Sequence, residues 1–457
     1  MSCICKTLTL FYAQKKKLFR CVVCLQHEAI KRGVRSGQQI FFCRACKKYF
    51  HRSLIRAPGT SITRLVADHL EGLSYRRLEE RRKTPKKKLC SAVNNEVAEF
   101  QENWQVTEYF QDSLKYSGNH VLDGKYIPVK EVVVVRGELG GKIPRSQKRR
   151  KVLRGQVLAW GADYDSHDIP HCEFGASENF RIFNAYFGRL KTLGYPLKSL
   201  TVDDQGDMIA AALKHFPSCV IELCHKHYLA KINRILGVKN ILVKIKAREK
   251  KLKKIFDQFA DTVIPRGRVY ACSLAITFTN EIAELEFTYE LILDFYVAMI
   301  GILNSKDYTT AEKRITSVEN HFLPKRLRLD FPRAHKSLVK KIMDDFNERK
   351  QYLFNHLKFP DLHIPHTTNL MEGYNSQLES RLGSIRGFET TDTAKNYLNA
   401  WIIKRRFTKF TDCKPPFKHL NGQTPLQCAG ADISPIKNWM KTFRKRPPKK
   451  GVPKATN

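Results

Sequence analysis

Apolar and polar positions alternate in short runs from about residue 119 onward, and this pattern is typical of β-strands. Three runs, at residues 121–129, 152–164 and 169–174, predict an antiparallel meander. A helix with one apolar face is predicted next, and that face is formed by Phe180, Phe183, Phe187 and Leu190. A further apolar run at residues 197–202 predicts a fourth strand. This part of the chain therefore predicts an α/β domain.

Helical patterns lie on both sides of these strands. Residues 61–70 and 75–82 predict two short helices, the second with Ser74 as its N-cap. Thr84 and Pro85 supply an N-cap and a first-turn proline for a third helix, which runs toward Glu99. This is a helix-turn-helix pattern whose basic third helix suits a DNA major groove, although three short helices can also be a structural spacer. Much later, the 138 residues between His227 and His366 show helical periodicity.

The charge of the chain indicates a polyanionic partner. Among 457 residues, 81 are Lys or Arg and 44 are Asp or Glu, which gives a formal net charge of +37. Binding of such a surface to a phosphate backbone is favourable because it releases counterions, so double-stranded DNA is the expected partner. No segment approaches the roughly 20 apolar residues that span a bilayer, and the first residues do not follow the order of a secretory signal. We therefore expect a cytoplasmic, DNA-associated protein without a membrane segment.

The cysteines are unevenly placed, and two pairs have the spacing of a metal site. Cys21 and Cys24 form one Cys-x2-Cys pair, and Cys43 and Cys46 form another after 18 intervening residues. This is zinc-ribbon spacing, in which two thiolate pairs converge on one tetrahedral ion. The alternative is four unrelated buried thiols. The N-terminal segment is thus predicted to hold Zn²⁺, while Cys3 and Cys5 stay unassigned.

Two carboxylates lie in or directly after apolar strands. Asp123 lies inside the first run, and Asp203, followed by Asp204, ends the fourth. Burying a carboxylate is costly unless something compensates its charge, and a divalent cation does so in phosphoryl-transfer sites. Taken singly, each aspartate could instead cap the end of a strand.

A longer motif around the second aspartate resembles a known family. The motif comprises Thr201-Val202-Asp203-Asp204-Gln205-Gly206, Ala211, Phe216-Pro217 and Cys224-x2-His227. It is similar to the signature of mutator-type transposases, including bacterial insertion-sequence enzymes. In that family an Asp at the end of the fourth strand precedes a helix, a Phe-Pro pair, a fifth strand and a Cys-x2-His element. These intervals fit Asp203 better than Asp204.

The resemblance extends to two other motifs. The family's first Asp lies in an Asp-Gly pair, which Asp123-Gly124 matches, and its Glu lies on a late helix, where Glu372 is the matching residue. Asn369 and Asn375 lie three positions on either side of Glu372, so on a helix they share its face and could orient the carboxylate or touch a phosphate. Cys224 and His227 are expected to support packing or DNA positioning beside the active site, without a separate metal, and the alternative is a buried structural pair.

The fold class predicted from pattern and resemblance together is multidomain α/β, with an RNase H-like catalytic core interrupted by an all-helical insertion. The predicted segments are a zinc ribbon (15–58), a helix-turn-helix-like segment (59–105), the first part of the core (119–227), the insertion (228–365), the second part of the core (366–412) and a basic tail (413–457).

The family's activity is DNA cleavage and strand transfer by two-metal phosphoryl transfer. The resemblance implies that Asp123, Asp203 and Glu372 hold Mg²⁺ or Mn²⁺, and that the chain assembles into at least a dimer. Two other hypotheses stay open. One is a domesticated DNA-binding regulator that keeps the fold without cutting. The other is a cellular RNase H-like nuclease, which fits the acids but not the zinc ribbon or the long insertion.

Overall fold

The computed structural model describes residues 19–20, 28–35, 38–51, 62–132, 150–259, 265–323, 333–385 and 387–445. The chain divides into two compact units, residues 1–96 and 97–457, which are described separately. Cys21 and Cys24, two of the predicted zinc ligands, lie outside the described residues, as do the unassigned Cys3 and Cys5.

The first unit begins with a four-stranded antiparallel sheet. Its strands, in chain and sheet order, are β1 (Phe19–Arg20), β2 (Glu28–Arg35), β3 (Gln38–Cys43) and β4 (Tyr49–His51). Cys43 is buried at the end of β3, and its backbone N–H donates to the carbonyl of Lys48 at 3.1 Å, which closes the turn that carries Cys46. β3 and β4 therefore form a hairpin whose turn carries Cys46. Zinc binding stays a prediction, because two of its four ligands lie outside the described residues.

Three helices complete the first unit, at nearly the bounds that the sequence predicts. They are α1 (Ile62–Leu70), α2 (Tyr75–Arg82) and α3 (Lys86–Ala98). Ser74 caps α2, because its hydroxyl accepts a hydrogen bond from the backbone N–H of Arg77. Leu70, Leu78 and Val93 are completely buried, so each helix contributes an apolar face to the packing.

The second unit contains a five-stranded mixed sheet. Its strands are β5 (Asn119–Val132), β6 (Arg150–Asp163), β7 (Cys172–Gly175), β8 (Ser199–Val202) and β9 (Val220–Leu223). They lie in the order β7-β6-β5-β8-β9, with β5, β6 and β7 antiparallel and with β8 parallel to both β5 and β9. The predicted meander is confirmed, and the sheet is compatible with an RNase H-like core.

The two faces of this sheet are covered by different elements. Successive side chains of a strand point to opposite faces, so Leu122 and Ala159 lie on one face while Asp123 and Trp160 lie on the other. The first face packs against α5 (Phe180–Thr192) and α6 (Gly206–His215) in one large apolar core. The second face carries α13 (Asn369–Ile385) and α14 (Thr391–Arg406), where Trp160 contacts the rings of Tyr374 and Trp401.

Every described regular element between β9 and α13 is helical. These elements are α7 (His225–Leu236), α8 (Val238–Phe259), α9 (Pro265–Leu303), α10 (Tyr308–Phe322), α11 (Arg333–Leu353), α12 (Asn355–Lys358) and a short 3-10 turn (Pro360–Leu362). The break between α7 and α8 falls at Gly237, whose φ of 65° is left-handed and ends the first helix. Phe295 and Phe346 of these helices join the apolar core of the sheet, so the helical segment is packed against the core.

The remaining elements of the second unit form a smaller apolar cluster. They are α4 (Asn103–Tyr109), α15 (Pro425–Cys428) and α16 (Trp439–Thr442), while a short 3-10 turn (Phe417–Leu420) lies outside the cluster. Val106 of α4, Leu426 of α15 and the nearby Phe443 pack together with Ile403 of α14. The described part of the segment that the sequence assigns to a basic tail is thus folded onto the core. Within the described ranges, none of the helices combines the length and the apolar character that crossing a bilayer requires.

Candidate active site

The strand register brings the two aspartates together. β5 and β8 are parallel neighbours in which Val121 pairs with Thr201. Asp123 and Asp203 each lie two residues further along, so they are adjacent and point to the same face of the sheet. Asp203 directly follows the last residue of β8, where the backbone leaves the sheet for α6. The position of the carboxylate pair thus follows from the pairing of two strands.

A strap of residues 362–368 carries the third carboxylate to the same place. The strap is hydrogen-bonded to β5, to β8 and to the start of α7. Asn119 donates to the carbonyl of Leu362, Thr201 to that of Pro365, and the backbone N–H of His225 to that of His366. At its end, Thr368 donates from both its N–H and its hydroxyl to Cys224 Sγ, at 3.3 Å each. α13 begins at the next residue and presents Glu372 in its first turn.

The three carboxylates line one cleft of about 540 Å³. Its walls are formed by Asp123, Gly124, Lys125, Tyr126, Glu178, Asp203, Gln205, Met208, His227, Glu372, Asn375, Ser376 and Glu379. Asp203 and Glu372 have side chains that are 34% and 30% exposed, so both are reachable from solvent while their backbones are held in the core. An open cleft lined by carboxylates can bind a metal cation. The strong positive charge of the protein favours a phosphate-containing ligand at that cation.

The negative charge of Asp123 is only partly compensated by the groups around it. It accepts hydrogen bonds from the backbone N–H of Gly124 at 2.8 Å and from the side-chain amide of Asn375. Burial raises the pKa of Asp123 to about 6, and the like charge of Asp203 adds to this effect, although the two hydrogen bonds oppose it. Asp123 therefore keeps negative charge that its two neutral donors and the nearby His227 compensate only in part, and a metal cation would offset the rest.

His227 of α7 lies between the second and third carboxylates. Its Nδ1 is 2.6 Å from Asp203 Oδ1, and its Nε2 is 3.9 Å from Glu372 Oε1. The hydrogen bonds with Asp203 and Cys224 raise the pKa of His227 to about 10. Burial alone would raise the pKa of the Cys224 thiol, but hydrogen bonds with His227 and Thr368 hold it below its ordinary value. The Cys-x2-His pair thus connects the strap to the carboxylates.

Asp204 faces a different environment from its neighbour. Its carboxylate binds Lys231 Nζ at 2.7 Å and Arg349 Nε at 2.5 Å, and Lys231 also binds Asp345 at 2.8 Å. These partners lower the pKa of Asp204 despite its burial. Asp204 therefore ties α7 to α11 and does not line the cleft.

The structure brings together most, but not all, of the side chains that the sequence singles out. Five of these side chains line the cleft: Asp123, Asp203, Glu372, His227 and Asn375. Cys224 is hydrogen-bonded to His227 behind them. Asn369 is exposed at the first residue of α13 and is not among the residues that line the cleft. Cys43 and Cys46 belong to the other unit, and their role as zinc ligands stays a prediction.

Several charged residues of the cleft were missed by sequence reasoning. Lys226 pairs with Glu372, and Lys125 pairs with Glu379. Glu379 could have been found, because it lies seven positions after Glu372 and therefore on the same face of α13. Glu178, which accepts a hydrogen bond from Tyr126 at 3.3 Å, precedes α5 and has no signal in the sequence.

The donor set of the cleft fits a hard divalent cation. Three carboxylates converge, and the amide oxygen of Asn375 is buried without a hydrogen-bond partner among the described residues. Oxygen ligands of this kind are those that Mg²⁺ and Mn²⁺ prefer. Donor atoms of Asp203, Cys224 and His227 also lie within 4.8 Å of one another, so this side of the cleft could hold an ion as well.

Comparison with known proteins adds little to the geometry. No protein-family model matches the chain, and no curated protein matches it. One solved structure with some similarity is the Drosophila P element transposase strand transfer complex, at 13% sequence identity and a TM-score of 0.37, over 77% of this chain and 94% of that chain. A TM-score of this size leaves the function to be inferred from the cleft.

Proposed function

We propose that this chain is a transposase of the mutator type, which cleaves DNA strands at the ends of a mobile element and joins them to a target. The observation that carries the proposal is the convergence of Asp123, Asp203 and Glu372 in one open cleft. Three carboxylates from two adjacent parallel strands and one late helix match the order of acids in that family. Strand transfer needs this arrangement, because phosphoryl transfer depends on positioning and on compensation of charge.

The acids would hold Mg²⁺, or Mn²⁺, with Asn375 as a supporting oxygen donor. When bound, two such ions activate the attacking water or 3′-hydroxyl and stabilise the leaving oxygen. The chain's own residues orient these ligands. Asn375 and the backbone of Gly124 fix the carboxylate of Asp123, while His227 fixes that of Asp203. Lys125 and Lys226 at the rim supply positive charge where phosphate would approach.

DNA-end recognition is assigned to the first unit. Its helices α2 and α3 expose a set of basic side chains: Arg76, Arg77, Arg81, Lys83, Lys86, Lys87 and Lys88. Such a set contacts phosphates and binds more weakly as salt rises. The preceding sheet would be held by Zn²⁺ on Cys21, Cys24, Cys43 and Cys46, since a segment of this size buries little apolar surface alone. Cutting two ends in concert would require at least a dimer.

The decisive experiment is a cleavage assay on end-containing DNA with Mg²⁺. Asp123→Asn, Asp203→Asn and Glu372→Gln should each reduce strand cleavage by about 10²-fold or more, as losses of single electrostatic contributors do in other enzymes. DNA binding, measured in the same samples, should be unchanged or tighter, because removing a carboxylate lessens repulsion from phosphate.

Asp207→Asn is the matched control, since Asp207 is exposed in the first turn of α6, only four positions after Asp203. It should keep wild-type activity. Asp204→Asn should keep much of the activity in the molecules that fold, because its partners are Lys231 and Arg349. Full activity of Asp203→Asn beside an inactive, folded Asp204→Asn would overturn the assignment. Wild-type cleavage by all three cleft variants would reject the cleft as the active site, whereas no cleavage by the wild-type protein would favour a non-cutting DNA-binding protein.

A further inference from the structure

A second cluster of ionisable side chains lies on the other side of the Cys224 turn. Glu222 is the third residue of β9 and is completely buried. Around its carboxylate lie His225, which begins α7, and His356 of α12, while the ring of His366 in the strap lies beside both imidazoles. None of these four residues lines the acid cleft.

The distances in this cluster are those of a compact ligand set. His356 Nδ1 is 2.8 Å from Glu222 Oε1, and His225 Nε2 is 3.3 Å from the same oxygen. Donor atoms of Glu222, His225 and His356 all lie within 4.8 Å of one another. The ring centroid of His366 is 5.3 Å from those of His225 and His356. Three elements and the strap thus meet at one carboxylate.

The hydrogen bonds around the cluster resemble the outer contacts of metal ligands. The second oxygen of Glu222 accepts from the backbone N–H of His356 at 3.0 Å, which fixes the carboxylate. His225 Nε2 lies 2.7 Å from the carbonyl oxygen of Leu353, whereas its Nδ1 is buried without a partner among the described residues. Metal-bound histidines commonly give one ring nitrogen to a carbonyl and the other to the ion.

We propose that Glu222, His225 and His356 bind a structural Zn²⁺ ion, and that a rotation of the exposed His366 side chain supplies the fourth ligand. Imidazole and carboxylate are ordinary zinc ligands, and four protein ligands are typical of structural sites. A divalent ion would compensate the buried charge of Glu222, which the contacts with His225 and His356 compensate only in part.

The ion would join the beginning and the end of the helical segment. His225 begins α7, His356 lies near the end of the helices, and His366 belongs to the strap that leads to Glu372. Zinc here would fix the strap against β9 without touching DNA. The site does not depend on whether the chain cuts DNA, so its test is independent of the cleavage assay.

The test measures zinc in the full-length protein after dialysis, together with X-ray absorption at the zinc edge. Wild type should contain zinc with nitrogen and oxygen neighbours at about 2.0–2.2 Å, which are distinct from sulfur neighbours at about 2.3 Å. His356→Asn should lose one equivalent of zinc. Asparagine can still donate a hydrogen bond to Glu222 but is a poor zinc ligand, so the variant separates metal binding from hydrogen bonding.

Two controls complete the design. His321→Asn changes an exposed histidine of α10 and should keep the wild-type zinc content. Asp203→Asn should also keep its nitrogen- and oxygen-bound zinc, which would exclude the acid cleft as the source. Equal zinc in wild type and His356→Asn would overturn the proposal. So would a wild-type spectrum with sulfur neighbours alone, and this result needs no folded variant.

Discussion

Two groups of aspartates in the second unit differ in how completely the protein compensates them. Asp163 and Asp168, at and after the end of β6, are fully buried. Asp168 accepts hydrogen bonds from Arg406 Nε at 2.8 Å, from Arg406 Nη2 at 2.7 Å and from the hydroxyl of Tyr116 at 2.7 Å. Arg406 is itself fully buried and donates further to Asn103. In the acid cleft, by contrast, Asp123 has two neutral donors and a like-charged neighbour.

The difference shows how a structural carboxylate can be told from a functional one. Both groups lie on or after strands of the same sheet, so their position in the fold alone does not separate them. Where donors match acceptors, the charge is compensated within the protein and the group serves folding. Where acids converge with too few donors and face an opening, the missing compensation must come from a ligand. The three predictions below test this distinction.

The largest expected effect is on the compensated network. Arg406→Met should lower the free energy of unfolding by about 3–5 kcal/mol, because it leaves the buried carboxylate of Asp168 without its charged partner. Urea denaturation measures the loss. Lys395→Met on the same helix removes only an exposed ion pair with Glu102 and should cost at most about 1 kcal/mol. Similar small losses in both variants would contradict the assignment of Arg406 as the compensating charge.

In the acid cleft, unlike the compensated network, loss of a charged side chain should not destabilise the metal-free protein. Asp123→Asn should leave the metal-free protein as stable as wild type or more stable, because it removes repulsion from Asp203. Mg²⁺ at about 100 times its dissociation constant should stabilise wild type by about 2.7 kcal/mol and the variant by less. Thermal unfolding with and without Mg²⁺ measures both quantities. The assignment of the cleft as a metal site would be contradicted if Mg²⁺ did not stabilise the wild-type protein. It would also be contradicted if Mg²⁺ stabilised the variant as much as wild type.

The smallest effect is expected where donors are redundant. Asp163 accepts from Ser117, Gly118, Tyr195 and both the N–H and the hydroxyl of Ser166. Tyr195→Phe deletes one of these donors and should cost about 1 kcal/mol. Tyr126→Phe, at an exposed tyrosine, should change stability by less. If Tyr195→Phe destabilised the fold as much as Arg406→Met, the donors would not be redundant.

The strands of the sheet were predictable because their buried faces impose a period of two on the sequence. β5 and β6 extend beyond the predicted runs, to Val132 and from Arg150, because cross-strand pairing continues where the apolar alternation fades. The bounds of the long helices could not be predicted, since periodicity marks a helix face better than its ends. The folded segment near Phe443 was missed for a similar reason: its apolar residues are too scattered to show a period.

The residues of the site could be predicted only where a short stretch of sequence carries the signal. Asp123 and Asp203 end or interrupt apolar runs, and Asn375 follows Glu372 at helical spacing, so the sequence could associate them. Lys226 and Glu178 reach the cleft only through the tertiary fold. The cluster around Glu222 combines residues from two distant stretches, 222–225 and 356–366, and no spacing rule connects them.

The strap also has a consequence for the order in which the chain is made. Glu372 follows Asp203 by 169 positions, and the strap that positions it comes just before it. At about 5–20 residues per second, a nascent chain would present the two aspartates roughly 8–34 s before the glutamate. Throughout that interval the aspartate pair exists without its third member. An incomplete polypeptide, or one released within the helical segment, would therefore contain the first unit, to which we assign DNA binding, but not the complete set of acids.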